Sequence, residues 1–153
     1  MLSTTVILIT TIIIFVIGFA LLILALNIVF RRQASQLQEQ FASQTIITTV
    51  PGANSFGQQS KGLLQVRGNG TLLITGQEIV FQQLVPRNTL RIPLSQVTGV
   101  ETTRMFLGKT RGRRLLKVDF VNEQGQPDAV AYSVRQVDEV KAQLEQGLRS
   151  AGG

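Results

Sequence analysis

From Val6 to Phe30 the chain carries no Asp, Glu, Lys, Arg or His, and every charged residue lies at or beyond Arg31. As a helix this run is about 37 Å long, against a bilayer hydrocarbon core of about 30 Å. Residues 6–30 therefore read as a membrane span behind a short tail, residues 1–5, and the lipid bilayer is the first expected partner. A buried helix of a soluble domain would keep a polar or partnered face, whereas this run is apolar all round. A cleavable signal peptide needs a basic start, a shorter apolar stretch and small residues at its end. Met1–Thr5 contain no Lys or Arg, and Ile23 stands where a small residue should accompany Ala25. Arg31 and Arg32 follow the span directly and flank its topology. The positive-inside rule then predicts the N-terminus outside and residues 31–153 in the cytoplasm. Gly18 has Ile14 and Leu22 four residues to either side, so no small-residue dimerisation motif is present.

Residues 31–61 are rich in Gln, Ser and Thr and read as a helix extension followed by a linker. Gln33–Phe41 extends the helix, with Leu37 and Phe41 as an i,i+4 pair. Thr45–Val50 is β-branched and suits a short strand stopped by Pro51-Gly52. Residues 62–149 read as one folded domain. Short runs of alternating apolar and polar residues are separated there by turn signals. The runs are Leu63–Arg67, Thr71–Thr75, Glu78–Leu84, Thr89–Leu94, Val97–Arg104, Arg114–Val121 and Ala129–Val134, with Gly68-Asn69-Gly70 as a strong turn cluster. Leu116, Val118 and Phe120 alternate with Lys117 and Asp119, and Val130, Tyr132 and Val134 share one face. Ser133 and Gln136 have capping-box spacing ahead of a helix. Val137, Val140, Leu144 and Leu148 make its apolar stripe. Residues 150–153 are a tail. The expected class is mainly β (α+β): about seven antiparallel strands closed by one amphipathic C-terminal helix, behind the transmembrane helix.

The chain has no Cys and no His. That removes disulfides, thiolate chemistry, the commonest general base and the commonest metal ligand together. Of the carboxylates, Asp138 and Glu139 fall on the polar face of the last helix, and Asp119 points outward beside Lys117. None stands with a nucleophile. The expectation is no catalytic site, no cofactor and no metal.

Charge is concentrated in one place. Arg104, Lys109, Arg111, Arg113, Arg114 and Lys117 lie between Thr102 and Val118 with no acidic residue among them, and the rest of the chain balances, so the net +6 sits in this segment. Three roles are open: a solvated loop, contact with anionic lipid headgroups, or contact with an acidic partner. Met105, Phe106 and Leu107 lie in the same segment, either as core residues or as an apolar tip that inserts into the bilayer. Few aromatic residues interleave with the basic ones and the chain is tied to a membrane, so nucleic acid is not an expected partner.

Gly70–Val100 reads GTLLITGQEIVF and then, after a turn, TLRIPLSQVTGV; Ala131-Tyr-Ser-Val134 precedes the last helix. In these stretches residues 62–149 resemble the pleckstrin-homology (PH) superfold, in pattern most like its GRAM and bacterial PH-like branch. The resemblance implies a bent sheet with a helix across its open end. It also implies a non-enzymatic module that binds lipid headgroups, peptides or proteins. The chain has no Trp in its last helix, and on its first two strands only Arg67 stands where phosphoinositide-binding members carry several basic residues. The expected function is thus a single-pass membrane-anchored PH-like adaptor. Its basic hairpin would contact the anionic membrane surface or an acidic partner. The alternative is an accessory or assembly subunit of a larger membrane protein complex, with the domain as a protein-interaction cap.

Overall fold

A computed structural model of the chain describes residues 3–62, 65 and 67–152, the side chain of Arg111 excepted. One helix, α1, runs unbroken from Thr4 to Gln40, about 55 Å at the usual rise. It is long and apolar enough to cross a membrane. The few polar side chains of its apolar run bond within the helix: Thr10 Oγ1 to the Val6 carbonyl, Thr11 Oγ1 to that of Ile7, and Asn27 Nδ2 to that of Ile23, each at 2.9 Å.

Seven strands follow: β1 (Ile46–Gln58), β2 (Gly68–Thr75), β3 (Glu78–Gln83), β4 (Asn88–Pro93), β5 (Val97–Phe106), β6 (Lys109–Val121) and β7 (Pro127–Ser133). They form one antiparallel sheet in the order β4-β3-β2-β1-β7-β6-β5, and α2 (Val137–Ala151) closes it. The central strand departs from the sequence reading. Instead of a short strand and a linker, β1 continues through Pro51-Gly52. Its first part pairs with β2 and its last part with β7, while Asn54 and Ser55 pair with both. Pro51-Gly52 is a bulge, with a register shift between Pro51 and Ala53 and Gly52 at φ +71°. A bulge tolerates the missing proline N–H and bends the strand rather than ending it.

Gly68-Asn69-Gly70 is likewise not a turn but the start of β2, paired with Ser55, Asn54 and Ala53. A Cβ on Gly70 would overlap the Gln82 carbonyl, so this glycine serves close strand approach. Of the strand expected at Leu63–Arg67, Leu63, Leu64 and Val66 lie outside the described residues, and Gln65 and Arg67 are not in a strand. The Ser133–Gln136 capping box does not form: Ser133 ends β7, and Gln136 caps α2 without a side-chain bond.

The main core lies between the inner face of the sheet and α2. Leu72, Ile74, Phe81, Ile92, Leu116, Val118, Phe120, Val130 and Tyr132 meet Val137, Val140 and Leu144 there. Two smaller clusters cover the outer face. Phe56, Phe106, Leu115, Ala129 and Ala131 form one. In the other, Leu37 of α1 packs on Leu73 and Val80, with Phe41 and Ile46 at its edge. β2 is consequently buried on both faces, which explains its consecutive Leu72-Leu73-Ile74. Burying a Leu or Val side chain fully is worth about 1.5–3 kcal/mol, so the end of α1 is an integral part of the domain.

Candidate functional site

The basic segment forms the β5–β6 hairpin. Its turn is Leu107-Gly108, with φ +48° and +67°, the two left-handed residues that a tight hairpin turn requires. The turn is thus two residues long, and Lys109–Val121 is strand. Between the pairs Thr103–Leu115 and Met105–Thr110, β6 has more residues than β5. The excess, Arg111–Arg114, bulges around Gly112 at φ +68°, and a bulge re-aims the side chains it carries.

The six cations are not equivalent. Lys117 lies 2.8 Å from Glu101 and 2.9 Å from Asp119; hydrogen bonds to Glu101 and then Asp119 raise its pKa. Two carboxylates hold it, so it offers no free charge. Arg114 pairs with Asp138 in the first turn of α2. Lys109 Nζ donates to the Gln65 carbonyl at 2.6 Å, which pins the hairpin to the segment before β2. Arg104 and Arg113 are exposed, with no carboxylate within 4 Å among the described residues. The side chain of Arg111 lies outside the description.

The apolar tip divides as well. Phe106 is buried in the outer-face cluster and Leu107 packs against it, while Met105 is 60 % exposed. Insertion by all three is therefore corrected: Phe106 is core, because the reverse turn folds it back onto Phe56 and Leu115. Sequence reasoning left Arg67 out of the site. Its guanidinium lies 4.3 Å from the Phe56 ring centroid and donates to the Thr110 carbonyl at 3.3 Å. It joins the hairpin only through the fold, and no local pattern announces it.

The hairpin is tied through Arg114 to the first turn of α2, part of which faces α1. Asp138, the partner of Arg114, adjoins Glu139, which lines a groove with Ile23, Leu26, Asn27 and Phe30 of α1. Arg31 lines the same groove, while Gln33 and Ala34 are already buried against the domain. No slack chain separates the apolar run from the sheet.

Two other polar clusters serve the fold. Arg91 holds Glu78 with two bonds of 2.6 Å, and Gln44 adds one of 3.0 Å. The bond from Arg91 keeps the Glu78 carboxyl below its ordinary pKa, against the effect of burial. Asp128 is also buried. Burial alone would raise its carboxyl, but bonds from Ser60, Gln58 and the backbone of Ala129 outweigh it and hold the pKa low. Among the described residues, no group of three or more carboxylates is placed to hold a metal ion.

No protein-family model and no curated protein matches the chain. Solved structures do. The N-terminal PH domain of Vps36 superposes with a TM-score of 0.52 at 18 % identity, over 70 % of this chain and 80 % of that one. The fold is PH-like. A chain of an 8S snRNP assembly intermediate superposes at 0.54 with 13 % identity, over 68 % of this chain and 82 % of that one. The C-terminal domain of an unknown protein from Leishmania infantum does so at 0.51 with 15 % identity, over 80 % and 96 %. At these identities the likeness is one of fold. Function is a property of the site grafted on a fold.

Proposed function

We propose that this chain is a single-pass, membrane-anchored PH-like binding module of the GRAM-like kind. Its N-terminus lies outside and its domain is held at the cytoplasmic surface. The observation that carries the reading is the burial of Gln33, Ala34 and Leu37 on the sheet immediately after Arg31-Arg32. A domain packed on the helix where it leaves the bilayer has one face turned permanently to the headgroups. Arg114 and Asp138 link the β5–β6 hairpin to the first turn of α2, and Glu139 of that turn faces α1 across a groove, which supports this reading. The hairpin's free arginines, Arg104 and Arg113, together with Arg111 and the exposed Met105, supply the contact. Each basic residue near an anionic surface gains about 1 kcal/mol. Because α1 already supplies the anchor, a few kcal/mol suffice to orient the domain.

The test uses the whole chain in vesicles. With no native cysteine, a spin label at Met105→Cys reports depth cleanly. Contact with the bilayer in anionic but not neutral vesicles, lost at high salt and in Arg104→Gln/Arg113→Gln, is the expected result. A label equally remote in every condition would sink the lipid-docking reading. A second reading, an accessory subunit, draws on β5, an open edge strand of the sheet that a partner strand can extend. It predicts co-purification of a membrane protein in mild detergent and indifference to lipid charge.

A further inference from the structure

The groove between α1 and the domain encloses about 530 Å³. Ile23, Leu26 and Phe30 form its apolar wall, and Arg31, Arg135 and Glu139 are its charged residues. Ile23 lies about 12 Å farther along the helix than Arg31, towards the bilayer interior. The groove therefore joins apolar side chains of the helix run to charged groups of Arg31 and of the domain's Arg135 and Glu139. A phospholipid combines the same two chemistries, and beside a bilayer-spanning Val6–Phe30 lipid is the solvent. Neither arginine has a carboxylate within 4 Å among the described residues. Two guanidinium groups and a single carboxylate lining one groove favour one phosphodiester. Glu139 can accept a hydrogen bond from a headgroup hydroxyl or ammonium and disfavours a second anionic group.

We infer that this groove holds one glycerophospholipid of the surrounding leaflet, its phosphodiester between Arg31 and Arg135 and an acyl chain along Ile23 and Leu26. The inference rests on Val6–Phe30 spanning the bilayer and is independent of hairpin docking. A lipid seated there would wedge the domain against α1 and set its tilt on the membrane.

The test is native mass spectrometry of the full chain in detergent micelles, offered phosphatidylglycerol or diacylglycerol. One phosphatidylglycerol retained per chain is expected, with diacylglycerol not retained. Arg135→Gln, which leaves Arg31 and Arg32 in place, and the double variant Arg31→Gln/Arg135→Gln should each weaken retention about tenfold or more, as the loss of charge-assisted bonds implies. Arg104→Gln/Arg113→Gln should retain it. Equal retention by wild type and the groove variants, or equal retention of diacylglycerol, overturns the inference. Loss only in the hairpin variant would also overturn it while leaving hairpin docking intact. A protein partner crosslinked into the groove in place of lipid overturns it too.

Discussion

The side-chain amide of Gln33 donates to the main-chain carbonyl of Gln82 at 2.9 Å. The same amide accepts from Thr71 Oγ1 at 3.0 Å, so one side chain ties α1 to both β2 and β3. Leu37 lies one turn further on, buried against Leu73 and Val80. The long apolar helix and the sheet are joined as one body.

A rigid joint has a measurable signature. Spin labels at Gln36→Cys on α1 and Ser95→Cys after β4 should give a single narrow distance distribution in the full chain. Gln33→Ala with Leu37→Ala should broaden it. A broad distribution in the otherwise native chain would mean that the domain swings on its tether.

Leu37 also contributes to stability directly. Leu37→Ala removes a fully buried side chain and should cost about 2–5 kcal/mol, read as a lower urea midpoint. Leu24→Ala, in the exposed apolar run, should leave that midpoint unchanged.

Acid should weaken the domain. Glu78 and Asp128 titrate below their ordinary values of 4.5 and 3.8 in the folded chain. Between the folded and unfolded values the unfolded chain binds more protons. The stabilisation is therefore present above the unfolded values and is lost as pH falls through the folded ones. The urea midpoint should hold from neutrality to about pH 5 and decline below. Glu78→Gln should lower it at neutral pH and make the acid decline shallower.

Tyr132 is fully buried, its ring centroid 5.0 Å from that of Phe81. Among the described residues its hydroxyl finds no partner, and burial pushes its pKa up. Tyr132→Phe keeps the ring and removes the unpaired group. It should be neutral or stabilising, by up to about 1–3 kcal/mol in urea unfolding. A clear loss would mean that solvent reaches the hydroxyl.

The Arg114–Asp138 pair is exposed, its side chains 50 % and 64 % accessible. Asp138→Asn should therefore cost little stability, under about 1.5 kcal/mol including its place in the first turn of α2. By freeing Arg114 it should strengthen binding to anionic vesicles, measured as the lipid fraction at half-saturation. Unchanged binding would place Arg114 outside the contact.

Much of this architecture is legible locally. The uncharged run Val6–Phe30 announces a helix of membrane length, and alternation announces β6 and β7 with Leu116, Val118, Phe120, Val130 and Tyr132 inward. The stripe Val137, Val140, Leu144 announces α2. β1 was hidden because its later half, with Pro51, Gly52, Asn54, Ser55 and Gln58, has the composition of a linker; only its partners Thr71, Gly70 and Tyr132 make it a strand. Gly68 and Gly70 read as a turn for the same reason. Their true role, close approach to β3, depends on a strand that arrives later in the chain.

The charge pattern divides in the same way. That Asp119 accompanies Lys117 follows from their spacing on one strand face. That Glu101 also reaches it depends on the β5–β6 register, and that Asp138 takes Arg114 depends on where α2 docks. Sequence by itself determined the long apolar helix, the periodic strands, the closing helix and the sum of charge, because these follow from side-chain type and local backbone repeat. Which arginines remain free, that Phe106 turns inward, and that the helix end is welded to the sheet were decided by tertiary structure alone. They depend on pairing and packing between residues far apart in the chain, which no local period encodes.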